Sequence, residues 1–261
     1  MVSTAALAPE LLAPTALHRG LLVWRWPEPM TLLASSTVRG GLRECTSLIN
    51  FGVDLLYRRR DLTAHADEIA AELGLSDDPP ALLTAANVHD YGTGEYQGVL
   101  AIATVGVTKP TWAADPEGGW NDGGLNRAGW NHAGSNHAGS RYDLPGTINV
   151  VAQLPVPLST AALVGAVITV TEAKTQALIE QGVPGTGTAS DAVAIVCPTP
   201  HHPEASEEPF AGPRSPWGSR LALAVHAAVL GSLATGRRVR EGDREGTGGS
   251  EVASDSPGHI S

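Results

Sequence analysis

The sequence predicts a mixed α/β fold: one domain with a central mixed β-sheet and packed helices. Three observations carry this. Short, nearly continuous apolar runs rich in Val, Ile, Leu and Ala read as strands buried on both faces. They alternate with two longer helical segments, the pattern of a sheet covered by helices. Thirty glycines and nineteen prolines in 261 residues demand more turns than a helical bundle contains.

In chain order, Leu21–Trp26 and Met30–Val38 are β-rich runs separated by Pro27-Glu28-Pro29, which reads as a hairpin or tight corner. Gly40-Gly41 marks a turn before a further apolar run, Leu48–Val53. Thr63–Leu73 is an amphipathic helix with Thr63 as N-cap, acidic residues early and Gly74 as its stop. Strands follow at Ala81–Ala86, Val99–Val107 and Thr147–Leu154. Ser159 caps a long helix, Thr160–Gln181, that Gly182 ends, and Asp191–Cys197 is another buried strand. Ser215-Pro216 opens a last helix running to Thr235, with Gly236 behind it.

The domain is placed at residues 19–236, after an N-terminal extension over 1–18. A Gly/Asn/His-rich insert over 117–141 has neither helix nor strand period and is expected to be a loop. Residues 237–261, rich in Gly, Ser and charge, are expected to be a disordered tail.

Composition excludes several classes. The net charge of −10 lacks the basic footprint of a general nucleic-acid binder. Cys45 and Cys197, far apart in sequence, form neither a disulfide framework nor a zinc motif, and no pattern marks either as an activated thiol. No histidine shows the spacing that fixes several metal ligands on one element, and His226 reads as a core residue. No secretory pattern opens the chain, and the longest apolar run, Ala161–Val170, is far shorter than the ~20 residues a bilayer needs. The expectation is a cytoplasmic protein without metal or cofactor and without nucleic-acid or membrane partners.

Chemistry concentrates in three places. GVPGTGTASD, Gly182 to Asp191, is a loop whose glycines admit a ligand close to the main chain. It is no nucleotide P-loop: Thr188 stands where the phosphate-binding Lys belongs, and the order is helix–loop–strand. Glu172, Lys174 and Thr175 follow directly on the apolar part of the long helix, so a partly buried acid and base are expected there. Gly146-Thr147-Ile148-Asn149 brings a hydroxyl and an amide to a strand entry; it reads as a nucleophile or carbonyl site, or as a turn.

Taken in order, these segments resemble the adenosylcobinamide amidohydrolase family. The residues concerned are Ser35-Ser36, Gly40-Gly41-Leu42-Arg43, Ile49-Asn50, Leu83 to Ala86, Ala103 to Gly106, Gly146 to Asn149, Thr171 to Thr175, Gly185 to Thr188 and Ser215 to Gly218. They span nearly all of Leu32–Leu233. Two features depart from the family pattern: the insert before Gly146, and an Asp191 set one residue further along by Ala189-Ser190.

The resemblance implies hydrolysis of the amide joining the corrin ring's propionate arm to aminopropanol in adenosylcobinamide, giving adenosylcobyric acid for cobalamin salvage. The corrinoid is the small-molecule partner. Glu172 is assigned as proton shuttle, Asp191 as orienter or second carboxylate and Thr147 as a candidate nucleophile. The N–H groups of Gly185, Thr186, Gly187 and Thr188 are assigned to the oxyanion. Gly40, Gly41, Asn50, Asn149 and Lys174 complete the substrate-binding set, and Trp112 and Trp217 are candidates to line an apolar cleft. Competing readings are a non-catalytic corrinoid carrier, a nucleotide-dependent cobinamide transferase and an unrelated amidase.

Overall fold

The structure is a computed structural model that describes residues 6–114, 146–200 and 206–246. The 117–141 insert, His201-His202 and residues 247–261 lie outside them. Among the described residues, eight strands form one mixed sheet in the order β4-β3-β2-β8-β7-β6-β5, with β1 (Glu10–Leu12) paired to β2 (Leu21–Ala34). The remaining strands are β3 (Gly41–Gly52), β4 (Ala81–Thr84), β5 (Gly92–Tyr96), β6 (Val99–Gly106), β7 (Thr147–Gln153) and β8 (Ala192–Pro198). The pairs β3–β4 and β7–β8 are parallel; the others are antiparallel. The helices are α1 (Leu62–Glu72), α2 (Thr160–Glu180) and α3 (Pro216–Gly246).

The expected corner at Pro27-Glu28-Pro29 is instead a register break inside one strand. β2 pairs with β3 through Leu21–Arg25 and again through Met30–Ala34, with the irregularity between Arg25 and Met30. Two prolines lack the N–H that a ladder needs, so pairing lapses there without the strand ending. Only the second half, Met30–Ala34, pairs with β8. The sheet thereby folds over on itself, and its two halves face each other.

Three apolar cores follow from the strand alternation. Leu21, Val23, Ile49 and Phe51 face α1, with Ala66 and Ile69 beneath them. Leu22, Trp24, Leu48 and Leu82 pack between the sheet halves against Leu100, Ile102, Val151 and Val196. Val99, Ala101, Val150 and Ile195 face α2 and α3. The layers are therefore helix, sheet, sheet, helix.

Helix ends are set by local chemistry. Ser159 Oγ accepts the Ala162 N–H at the start of α2, as its position predicts. Gly182, at φ 68°, ends that helix in the left-handed conformation, as Gly74 at φ 64° does for α1. Asp61, not Thr63, is the N-cap of α1. The last helix continues past the expected stop at Gly236 to Gly246. Its path explains β5, which the sequence reading misses: α3 lies on Gly92 and Gly94, where an added Cβ would stand 2.0 and 1.9 Å from the Ala228 and Ala224 carbonyl oxygens.

Residues 160–180 and 216–236 are long and apolar enough to cross a bilayer by length and composition, although no single apolar run is. Half of the 18-residue apolar stretch of the first and 44% of that of the second are buried within this fold.

Close packing of α3 on β5 leaves no room for a methyl group. Gly94→Ala is expected to destabilise the protein by about 3 kcal/mol, seen as a lower denaturation midpoint.

Candidate active site

Five segments meet at one end of the folded sheet. They are the exit of β2 (Ser35–Thr37), the end of β4 (Leu83–Ala85), the start of β7 (Thr147), the residues before β8 (Ala189–Asp191) and Val53, Asp54, Tyr57 and Arg59 of the connection after β3. Together they line an open cleft of about 500 Å³. Its wall is rich in hydroxyls: Ser35, Ser36, Thr37, Thr84, Thr147 and Ser190.

Asp191 ties this wall together. Its Oδ1 accepts the Ile148 N–H at 3.0 Å and the Thr188 hydroxyl at 2.5 Å. Its Oδ2 accepts from Lys174 Nζ at 2.5 Å and from the Thr188 N–H at 3.1 Å. One carboxylate thus joins α2, the 183–191 loop and the start of β7, and it has few lone pairs left for a ligand. The Lys174 side chain is 8% exposed and that of Asp191 14%, so the pair is largely sheltered from water. Gly187 covers it: a Cβ there would stand 2.3 Å from Asp191 Oδ2 and 2.7 Å from Lys174 Nζ.

The bond to Ile148 sets the neighbouring Thr147, whose Oγ1 lies 2.9 Å from Ser190 Oγ. Ser190 also donates to the Gly146 carbonyl at 3.2 Å. With that proton engaged, Ser190 Oγ is the acceptor for Thr147. Ser190 is exposed and Thr147 only 5% so, which makes them an outer and an inner member of one hydroxyl pair.

Other expected site residues lie elsewhere. Glu172 is exposed on the outer face of α2, beside Ile179 and Glu180 in a shallow surface depression. Positions 172 and 174 are about 200° apart around a helix, so only one of them can face inward, and it is Lys174. The assigned oxyanion N–H groups are mostly engaged within the protein. Gly185 donates to the Val183 carbonyl, Thr186 to the Thr111 carbonyl and Thr188 to Asp191. The loop instead braces against Thr111, whose N–H donates to the Gly187 carbonyl, and against Thr175, whose hydroxyl donates to the Thr186 carbonyl.

Gly40 and Gly41 (φ 86°) form the turn between β2 and β3; a Cβ on Gly40 would stand 2.2 Å from the Ser36 carbonyl oxygen. They shape the back of the serine wall rather than line the cleft. Asn50 and Asn149 are buried between the sheet halves. Asn149 Nδ2 donates to Asn50 Oδ1 and to the Leu83 carbonyl, both at 2.9 Å, and Asn50 Nδ2 donates to Thr104 at 3.2 Å. Trp112 is half-exposed, and Trp217 packs on the helix-side core with Arg220 4.3 Å over its ring; neither lines the cleft. His226, expected in the core, bridges the two long helices through Glu180 at 2.7 Å. Among the described residues, no group of three or more His, Cys, Asp or Glu side chains is placed to hold a metal ion. Burial raises both cysteine thiols to a pKa of about 11.

The sequence reading missed Ser190 and the Asp54–Arg59 connection. Ser190 carried one signal, its place directly before Asp191 ahead of a buried strand. The connection carried none of the periodicity that marks an element. Its Tyr57 Oη lies 2.7 Å from His65 Nδ1, and burial pushes the phenol upward.

A model of the adenosylcobinamide amidohydrolase family matches residues 10–241. This chain belongs to that family. It is similar to two archaeal proteins named adenosylcobinamide amidohydrolase. That of Methanosarcina mazei is 38% identical over 93 residues, 34% of this chain and 46% of the relative. That of Halobacterium salinarum is 31% identical over 166 residues, 63% of this chain and 62% of the relative. The chain therefore aligns with about half to three fifths of the length of these relatives. A crystal structure of the PH0078 protein from Pyrococcus horikoshii aligns over 92% of this chain and 91% of its own, at 13% identity and a TM-score of 0.42.

Lys174→Met leaves Asp191 sheltered and without its cation, and is expected to cost about 3 kcal/mol of stability in a denaturant titration. His18, 4% exposed and accepting the Gly20 N–H on Nδ1, has its pKa lowered below 6.5, chiefly by burial. The unfolded chain takes up that proton below 6.5 while the folded one resists it. The His18 contribution is thus complete above 6.5 and is lost as the pH falls toward the folded value. His18→Gln is expected to flatten the decline in thermal stability between pH 7 and 5.

Proposed function

We propose that this protein hydrolyses the amide between a corrinoid's propionate arm and aminopropanol, converting adenosylcobinamide to adenosylcobyric acid and 1-amino-2-propanol for cobalamin salvage. Family membership supports the reading. The observation that carries it to particular residues is the Thr147–Ser190 hydroxyl pair on a cleft wall stapled by Asp191.

The reaction balances with water alone. A bond forms from the water oxygen to the carbonyl carbon, the C–N bond breaks, and the leaving nitrogen takes up a proton. The hydroxyl pair sits where a carbonyl oxygen or the attacking water enters, and a hydroxyl can both donate and accept as charge moves. Asp191 and Lys174 act as positioning residues: they hold Thr147 against Ser190 and touch no substrate atom in this scheme. Glu172 has no role in it. The substrate is a small-molecule corrinoid, with neither nucleic acid nor bilayer involved, in the cytoplasm.

The test is incubation of the purified protein with adenosylcobinamide, without ATP or added metal, followed by mass spectrometry. Adenosylcobyric acid and aminopropanol are expected. Binding seen by absorbance without product would overturn hydrolysis in favour of a carrier. Thr147→Val and Ser190→Ala are each expected to lower kcat by about 100-fold. Glu172→Gln is expected to leave turnover within about two-fold of the wild type, as for an exposed change away from the site.

A further inference from the structure

The turn Asp54–Tyr57 breaks a local rule. It is closed by the Tyr57 N–H donating to the Asp54 carbonyl at 2.9 Å, which puts Leu55 and Leu56 at its two central positions. Such positions favour Gly, Pro, Asn, Asp and Ser. Here they hold two large aliphatic side chains, 39% and 70% exposed. Departures from local consistency of this kind concentrate at functional sites.

The tip is anchored at both ends. Tyr57 is held by His65, which is 3% exposed, lies edge-on to Phe51 and bonds the Leu17 carbonyl through Nε2 at 2.7 Å. Nε2 must donate there, so Nδ1 is the acceptor for the tyrosine hydroxyl. On the other side Asp54 pairs with Arg19 Nε at 3.1 Å.

Leu55 and Leu56 line a second open cleft, of about 800 Å³, together with Val53, Ala85 and Ala86. Polar groups stand among its lining: Arg19, Asn87 and His89. This cleft adjoins the hydroxyl-lined one, since Val53, Asp54 and Ala85 line both. An apolar seat with polar groups around it, opening beside a hydroxyl-rich cleft, matches a ligand with a broad apolar face, amide-bearing edges and one projecting arm.

Building on the hydrolase reading above, we propose that the Leu55–Leu56 tip seats the face of the corrin macrocycle. The arm with the scissile amide crosses Asp54 to reach Thr147 and Ser190. Leu55 and Leu56 are then specificity determinants that act on binding and leave the chemical step alone.

The experiment compares the wild type with Leu55→Ser/Leu56→Ser, a change confined to exposed side chains. Adenosylcobyric acid, which has the ring without the aminopropanol, is titrated calorimetrically, and adenosylcobinamide hydrolysis is followed in parallel. The variant is expected to keep its melting temperature and its kcat. Both the Kd for adenosylcobyric acid and the KM are expected to rise about ten-fold, equivalent to ~1.4 kcal/mol. Unchanged Kd and KM in a folded variant would overturn the seat while leaving hydrolysis intact. Loss of a dimer in sedimentation, with Kd unchanged, would overturn it by assigning the tip to a second copy of the chain. A wild type that neither binds the ring nor turns over the substrate would overturn the hydrolase reading itself, and the seat with it.

Discussion

Everything in this fold depends on one strand serving two half-sheets. β2 pairs with β3 along both of its halves, but with β8 only beyond its proline-interrupted centre. Because Pro27 and Pro29 donate no ladder hydrogen bonds, the strand changes register there and the sheet turns over. The apolar residues of β2 then divide between two cores, Leu21 and Val23 on one side and Leu22 and Trp24 on the other. Without that division the chain has one flat sheet with an uncovered face; with it, each sheet half has a helix layer outside and the other half inside.

The cleft is a consequence of the same closure. It opens where the two halves meet at one end, between the exit of β2, the end of β4 and the start of β7. The buried chain Leu83–Asn149–Asn50–Thr104 crosses from one half to the other just behind that wall. Hydrogen bonds between buried amides carry strict geometry and a penalty for mispairing, so they hold the halves in a single register where an apolar contact would tolerate sliding.

Asp191 plays the corresponding part at the surface of the cleft. A carboxylate accepting hydrogen bonds from four donors, one of them a sheltered ammonium, is a joint between a helix, a loop and a strand. The glycine-rich loop around it reads in a new light. Gly187 is glycine because a side chain would collide with the Lys174–Asp191 pair, and Gly185 because one would meet the Thr111 backbone at 2.7 Å. These glycines serve close packing of protein on protein. The paired hydroxyls of Thr147 and Ser190 lie on the cleft wall beside them.

The sequence by itself determined the mixed α/β class and, among the described residues, six of the eight strands in outline and the three helices, because burial imprints periodicity and because Ser159, Gly74 and Gly182 signal helix ends locally. It also singled out Thr147, Asp191 and Lys174, since polar residues beside apolar runs are conspicuous. It did not determine which of Glu172 and Lys174 faces inward, because α2 is apolar nearly all round and its inner face is chosen by the sheet. Nor did it show that Gly185, Thr186 and Thr188 spend their N–H groups internally, that Ser190 meets Thr147 from 43 residues away, or that Leu55 and Leu56 line a second cleft adjoining the first. Those are contacts between segments distant in sequence. Only the tertiary structure decides them, because a hydrogen bond's partner is set by position in space, on which spacing along the chain is silent.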